Sequence, residues 1–283
     1  MNSSMNIFST RELSLLIWIA ILSTTFLSIK SVRQSSKELV KILFGKQILT
    51  IILLLIVLVI GIIFLFYKGH LWDKSLLKDT VFWFLGVALV LAYKSGQAKD
   101  FAFFKEIIKD TIKWTIIIEF LINFYTFSLL TEILLMPIMV IIVLLQTVSE
   151  KDKKNEPVTK LLKNITGILG LLLLTYVSYK TFTNSKALLN VNNLFSFLLP
   201  LILTIIVLPF IYLLALYINY ETLFVRIRFM SKENIIKRRL KKEIFFAANV
   251  NLEKLLHISK KMNNYDLSKS DDIKKYIQSL AKK

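Results

Sequence analysis

The feature that most constrains the fold is the apolar block at residues 47–67, QILTIILLLIVLVIGIIFLFY, which contains no charged side chain across 21 residues. A helix rises about 1.5 Å per residue and the hydrocarbon core of a bilayer is about 30 Å thick, so about 20 apolar residues cross it. A surface helix of a soluble protein keeps one polar face, and this block has none. The block therefore predicts a membrane-spanning helix.

Further apolar blocks, separated by polar segments, predict an all-α polytopic membrane protein with about seven spans, in agreement with a mean hydropathy of +0.62. The first span has a plausible capping box at its start, in which Ser9 stands three residues before Glu12. Residues 1–220 form the predicted transmembrane domain and residues 221–283 a basic helical tail. The predicted spans are residues 13–29, 47–67, 75–93, 112–128, 131–148, 164–180 and 194–220.

The run at residues 114–148 has two interpretations, because it stays apolar for 35 residues apart from Glu119, Asn123, Glu132 and Pro137. As one straight helix it would be about 52 Å long, far more than one crossing needs. Two short spans that meet near Ser128–Thr131 fit better and give seven spans. A single crossing remains the alternative, with six spans.

The positive charge is gathered in four polar segments and predicts the orientation. Residues 30–46, 94–113 and 149–163 hold five Lys or Arg each and the tail holds 16, which is 31 of the 37 in the chain. The positive-inside rule places these segments in the cytoplasm, the N-terminus outside and the C-terminus inside. Lysine outnumbers arginine 31 to 6, a bias of AT-rich genomes, and we expect a multi-pass protein of a bacterial inner membrane.

The tail has 16 basic and 7 acidic residues and predicts three amphipathic helices. The first, at residues 231–250, has an apolar stripe of Ile236, Leu240, Ile244 and Ala247 or Ala248. The third has Ser270 as its N-cap. So few apolar residues predict a poor independent core, which would lean on other basic loops, a second subunit or the membrane. The candidate anion-binding residues are Lys237, Arg238, Arg239, Lys241, Lys242, Lys260 and Lys261.

Three interpretations of this basic cluster stay open: orientation together with attraction to anionic lipid, a site for a phosphate-rich ligand or nucleic acid, and an acidic protein partner. The cytoplasmic segments carry a net charge of +17, from 31 basic and 14 acidic residues, which is more than orientation needs. Against base recognition, no aromatic residue interrupts the run 237–242, and Phe245 and Phe246 after it indicate packing.

Glu119, Asn123 and Glu132 are the candidate intramembrane polar residues. Glu119 and Asn123 share a helix face, and a carboxylate in lipid is costly enough to suggest a role in a pore or gate. The structural alternative is that Glu119 reaches the headgroups, or pairs with Lys113 or a neighbouring helix. The sequence contains no zinc, phosphate-loop or nucleophile-elbow motif, so we expect no enzyme, no metal and no cofactor.

Four segments carry a resemblance to known proteins. They are Arg11–Glu12 followed by Leu-Ile-Trp, LWDKSLLKDT at residues 71–80 running into Val-Phe-Trp-Phe, the lysine-rich loop after LLQTVSEK, and LPFIYLLALYINYETLF at residues 208–224. With these, nearly the whole chain resembles a family of bacterial polytopic membrane proteins, and it is similar to the membrane effector of Hailong-type anti-phage defence systems. The resemblance implies an oligomeric channel that is held closed by DNA oligomers made by a nucleotidyltransferase partner.

The resulting functional prediction is an oligomeric membrane effector or ion channel, gated from the cytoplasm by an oligonucleotide or a nucleotidyltransferase. The resemblance assigns the basic tail to binding that ligand or partner, and it gives no role to any single residue. The alternatives are a membrane scaffold whose tail binds anionic lipid or protein, and a small-solute transporter. The transporter is disfavoured because the sequence has seven glycines and no visible inverted repeat.

Overall fold

A computed structural model describes residues 8–113, 121–122, 125–183, 191–230, 233–262 and 273–281. Throughout these ranges the secondary structure is helical and contains no strand, so the all-α prediction is confirmed. The helices are α1 Thr10–Ser28, α2 Lys30–Leu43, α3 Lys46–Lys68, α4 Leu77–Trp83, α5 Leu89–Lys94, α6 Ala102–Thr111, α7 Leu129–Ser149, α8 Glu156–Thr183, α9 Val191–Met230, α10 Asn234–Ala248, α11 Leu252–Lys261 and α12 Ile273–Ala281. A π-helical turn, Phe84–Ala88, joins α4 to α5.

Six helical segments of the described chain are long and apolar enough to cross a membrane, which confirms a polytopic architecture. They correspond to six of the seven predicted spans. The remaining one, residues 112–128, lies for the most part outside the described residues. The candidate spans are Thr10–Ser28, Lys46–Lys68, Lys74–Gln97, Leu129–Ser149, Glu156–Thr183 and Asn193–Phe229.

Two side-chain caps mark helix starts that the sequence predicts. The Ser9 hydroxyl accepts from the Glu12 amide, and the Glu12 carboxylate accepts from the Ser9 amide at 2.7 Å, which confirms the capping box of α1. Ser128 caps α7 by accepting from the Thr131 amide. The cap satisfies an amide that has no partner inside the helix. The predicted break near residues 128–131 is therefore a true helix start.

The last span is longer than predicted, because α9 is one helix of 40 residues. It is about 60 Å long at 1.5 Å per residue, twice the hydrocarbon thickness, so a large part of it lies outside the bilayer core. The predicted boundary between span and tail, at residues 220 and 221, falls inside this helix. Pro200 and Pro209, which lack the amide that would bond to the preceding turn, lie inside this helix.

The chain forms two units, of which the first contains Met1–Lys78 and Trp114–Phe197. In this unit the starts of α1 and α7 lie together, since Arg11 and Glu132 form an ion pair of 3.0 Å. The end of α8 lies at the same place, because the Tyr176 ring stacks on Phe127 at 4.5 Å. Both α1 and α7 therefore run in one direction and α8 runs back.

The turn between α7 and α8 is held by polar side chains. Lys163 donates to the Glu150 carboxylate at 3.0 Å, and the Gln146 amide donates to the same oxygen at 3.3 Å. These two contacts, the Lys163 bond first, lower the pKa of Glu150. The short polar turn places the end of α7 and the start of α8 at one end of the unit, as the predicted cytoplasmic loop requires.

The second unit contains Asp79–Lys113 and Leu198–Lys283. The Trp83 indole donates to the Thr204 hydroxyl at 2.9 Å, and Gly96 lies against Ile218, where an added Cβ would be 3.5 Å from its methyl group. Trp83 therefore contacts Thr204, and Gly96, further along the chain, contacts Ile218, which is further along α9. The segment from α4 to α5 thus runs parallel to α9.

The tail helices α10, α11 and α12 pack together in the second unit. The sequence predicted a poor core, but each of the three helices buries one row of apolar side chains in the bundle. Leu223 and Ile227 of α9 are also fully buried, so the long last helix contributes the support that a tail of this size needs. The buried tail side chains with at most 2 % exposure are Leu240, Ile244, Ala248, Leu252, Leu255, Ile258, Met262 and Ile277.

The chain leaves the first unit and returns to it at the same end of the unit. In the first unit the chain leaves at Lys78, which pairs with Glu12 at 3.0 Å, and it is back at Ile122, whose carbonyl accepts from Arg11 at 2.9 Å. Both positions lie at the start of α1. The predicted span at residues 112–128 would carry the chain back to this end, and the choice between seven spans and six stays a prediction.

We predict that single cysteines at Lys105 and Lys154 are labelled from the same side of the membrane. The chain contains no cysteine, so Lys105→Cys and Lys154→Cys give an impermeant maleimide one target each. Both side chains are exposed, and two crossings between them return the chain to its starting side. The reference variant Lys74→Cys is expected on the opposite side. Labelling of residues 105 and 154 from opposite sides would establish six spans.

Candidate functional site

Helix α10 carries the basic residues singled out in the sequence, and its orientation is set by its apolar stripe. Leu240, Ile244 and Ala248, spaced four apart, are buried in the bundle, whereas Ile236 is only half-buried. The predicted stripe is thus confirmed for its central and last positions, with Ala248 rather than Ala247 as the last. The stripe turns the opposite face of the helix outward.

The candidate anion-binding residues occupy two helices of the bundle. Arg238, Arg239 and Lys242 are exposed, while Lys237 and Lys241 are half-buried beside the apolar stripe. The remaining two candidates, Lys260 and Lys261, are exposed in the last turn of α11, where positive charge is favoured by the helix dipole. All seven therefore have described positions, and five of them are solvent-exposed.

Phe245 and Phe246 were predicted to pack inside the protein, but more than half of each side chain is exposed. Phe246 is 68 % exposed and Phe245 is 54 % exposed, although the Phe245 ring also contacts Tyr220 at 5.8 Å. The Lys242 ammonium lies 6.0 Å from the centre of the Phe246 ring, and the Lys241 ammonium lies 5.1 Å from that of Phe224. The aromatic residues missing from the run 237–242 are therefore supplied by the next turn and by α9.

One exposed surface results, which we call the basic-aromatic face. At 100° per residue, all its members lie within a sector of about 120° opposite Leu240. Cations there can neutralise phosphates, and exposed rings offer flat surfaces on which bases stack. The basic-aromatic face consists of Arg238, Arg239, Lys242, Phe245 and Phe246.

The turn after α10 is tied to α9 by two tyrosines. The Tyr212 hydroxyl donates to the Val250 carbonyl at 2.6 Å, and the Tyr220 hydroxyl donates to the Asn249 carbonyl at 2.7 Å. Asn249 has a φ of 47°, a backbone conformation that needs such support. We call these two hydrogen bonds the tyrosine clamp. It connects the end of the basic-aromatic face directly to the helix that forms the last span.

A second polar cluster lies at the start of α1 and α7. Arg11 binds Glu132 in a bidentate pair, with Nη2 3.0 Å from Oε1 and Nε 3.1 Å from Oε2. The Phe127 amide donates to the same carboxylate at 3.0 Å. Glu132 is 4 % exposed, and both of its carboxylate oxygens are already hydrogen-bonded within the protein. This favours a structural role over pore lining. The other intramembrane candidates, Glu119 and Asn123, lie outside the described residues.

Within the described ranges, no group of three or more His, Asp or Glu side chains is placed to hold a metal ion. Comparison with protein-family models, with curated proteins and with solved structures finds no match.

Replacing Glu132 is expected to destabilise the first unit strongly. Glu132→Gln leaves the Arg11 guanidinium in a largely buried position without its carboxylate, which costs about 3 kcal/mol for a buried pair. The measurement is the free energy of unfolding in detergent micelles. If the double variant Arg11→Gln/Glu132→Gln is more stable than Glu132→Gln alone, the stability comes from the ion pair and not from the carboxylate by itself.

The matched control is Glu156→Gln, which removes an exposed pair with Lys160 whose side chains are 65 % and 73 % exposed. Surface pairs of this i, i+4 kind contribute about 0.4 kcal/mol. A Glu132→Gln variant no less stable than this control would contradict a structural role for the ion pair.

Proposed function

We propose that this protein is an oligomeric membrane effector or ion channel of bacterial anti-phage defence. Its tail binds a single-stranded oligonucleotide on the cytoplasmic side, and that ligand, or the nucleotidyltransferase that makes it, sets whether the channel conducts. The observation that carries the proposal is the basic-aromatic face, where exposed cations and exposed phenylalanines share one side of α10.

This combination of residues fits single-stranded nucleic acid better than an acidic protein. Arg238, Arg239 and Lys242 attract phosphates, and the exposed Phe246 ring beside Lys242 gives a base a surface to stack on. Stacking tolerates any base, which suits a ligand whose sequence is unspecified. The resemblance to Hailong-type effectors supports the same ligand class independently of the fold.

The tyrosine clamp supplies a route from ligand to membrane. The basic-aromatic face ends at Phe246, and the hydrogen bonds from Tyr212 and Tyr220 begin three residues later, at Asn249 and Val250. Any shift of α10 on ligand binding is therefore passed to α9 without an intervening linker. In this proposal α9 is the element whose position differs between the conducting and non-conducting states.

Conduction requires several copies of the chain in this proposal. Within the described parts of the spans, Ser14, Thr80, Ser95, Glu132, Ser149 and Thr204 are the buried polar side chains, and Glu132 is already paired with Arg11. One chain thus offers too few polar groups to line an aqueous path, whereas a ring of identical chains multiplies each group around an axis.

The alternative function is a membrane scaffold whose tail binds anionic lipid. Ile235, which is 79 % exposed at the start of α10, favours it, because an apolar side chain beside cations also fits the interface of a bilayer. The two functions separate experimentally: a lipid-binding tail requires vesicles, whereas an oligonucleotide binds the detergent-solubilised protein.

The charge-reversal variant Arg238→Glu/Lys242→Glu is expected to weaken binding of single-stranded DNA and to flatten its dependence on salt. Removing one cation that neutralises a phosphate should reduce the slope of log affinity against log salt by about 0.7, so removing two should reduce it by about 1.4. The measurement is fluorescence anisotropy of a labelled oligonucleotide at several salt concentrations. The matched control, Lys254→Glu/Lys274→Glu, makes the same charge change at exposed positions of α11 and α12.

The variant Phe246→Ala is expected to weaken binding by about tenfold while the salt slope is unchanged, since stacking contributes about 1–3 kcal/mol per base. Phe229→Ala, at a ring that is 86 % exposed on α9, is the control. Equal DNA affinity of the unaltered protein, the charge reversal and Phe246→Ala would refute the oligonucleotide site.

Removing the tyrosine clamp is expected to uncouple binding from conduction. Tyr212→Phe/Tyr220→Phe deletes the two hydroxyls and keeps both rings, so DNA affinity should stay within about twofold, because neither hydroxyl belongs to the binding face. The response of the ion current in planar bilayers to DNA should fall. A full response in this variant would rule out the clamp as the route, and a protein that shows no current under any condition would contradict the channel.

A further inference from the structure

Helix α2, which connects the first two spans, has no buried residue and is strongly two-sided. Arg33, Lys37 and Lys41 follow one another at intervals of four and form a basic row, which Lys30 extends. The apolar side chains lie opposite this row. Leu39, Ile42 and Leu43 are 60 %, 60 % and 53 % exposed, so the described residues cover neither the basic row nor the apolar face.

The two ends of α2 are both fixed at one surface of the membrane. Only Ile29 separates it from α1, and only Phe44 and Gly45 separate it from α3. Because α1 ends and α3 begins at the same side, α2 cannot extend into the cytoplasm and must lie along the surface for its length of about 21 Å.

The corner between α2 and α3 has little freedom. A Cβ on Gly45 would lie 2.8 Å from the carbonyl oxygen of Ile42, so only glycine fits the turn. The Ile29 joint is extended, with φ −81° and ψ 120°, and breaks the helix in one residue. These two tight joints hold α2 at a defined angle to the spans that flank it.

We propose that α2 is an in-plane lipid-binding helix that recruits anionic phospholipid to the cytoplasmic leaflet around this protein. Its apolar face enters the boundary between headgroups and acyl chains, and its basic row contacts the phosphates. The site lies on a different helix from the oligonucleotide site, and the proposal does not depend on the proposed function.

Two other occupants fit less well. The apolar face is about 21 Å long and about 10 Å wide, or about 200 Å², far below the about 800 Å² per partner that a stable protein interface buries. A nucleic acid on the basic row would leave Leu39, Ile42 and Leu43 in water. A bilayer covers the apolar face and neutralises the basic row at the same time, and Glu38 is the one acidic residue that opposes it.

The first test measures the depth of the two faces in the full chain. Spin labels on Leu39→Cys and Leu43→Cys should collide with oxygen dissolved in lipid, whereas labels on Lys37→Cys and Lys41→Cys should collide with a water-soluble nickel chelate. The absence of native cysteine makes each label unique. Preference of all four labels for the nickel chelate would overturn the in-plane placement.

The second test measures lipid selectivity in vesicles of phosphatidylglycerol and phosphatidylcholine. Energy transfer from a donor on Leu39→Cys to acceptor-labelled lipids should show local enrichment of phosphatidylglycerol, about fivefold for each well-placed cation. Arg33→Gln/Lys37→Gln/Lys41→Gln, which leaves Lys30 in place, should lower the enrichment by at least about fivefold, and Arg33→Lys should retain it. Enrichment that is absent from the unaltered protein, or unchanged in the triple variant, would refute the proposal.

The control neutralises each of the two sites in turn and measures both DNA binding and lipid enrichment. Lys237→Gln/Arg238→Gln/Arg239→Gln removes three cations from α10, and it should weaken DNA binding while the lipid enrichment at residue 39 is unchanged. The α2 triple variant should behave in the opposite way. Loss of DNA affinity in the α2 variant, or close approach of two residue-39 labels from neighbouring chains, would replace lipid by nucleic acid or by a second copy as the occupant.

Discussion

The pairing of Arg11 with Glu132 organises the first unit. A charge at the start of a membrane span is tolerated when an opposite charge meets it, and here the partner lies 121 residues along the chain. The pair forces α1 and α7 to begin at the same end, and the Phe127 amide and Ile122 carbonyl add their hydrogen bonds there. The direction of α8 and the position at which the chain returns near residue 121 both follow from this junction.

Some of this architecture could be predicted from local sequence. The charge-free block at residues 47–67 became α3 at Lys46–Lys68, because the bilayer thickness sets its length. The capping box at Ser9 and the break near Ser128 depend on residues three or four apart, so short-range pattern suffices for them. The same holds for the central stripe of α10, where Leu240 and Ile244 are fully buried.

Other features depend on contacts that no local pattern contains. The partner of Glu132 and the burial of the tail core by α9 required the three-dimensional arrangement. The exposure of Phe246 followed only once the stripe of α10 was seen to point inward. The two-sided pattern of helix α2 is present in residues 30–43, but the total charge of a loop does not show how its charges are arranged around a helix.

The continuous course of α9 has a mechanical consequence. This helix of 40 residues, about 60 Å long, carries the clamped turn of the tail near one end. If it moves as one rod, a tilt of about 5° displaces its far end sideways by about 5 Å, roughly half the separation of two packed helices. In the proposed function, a slight shift of the tail would therefore become a sideways displacement of the far end of α9 large enough to change its packing.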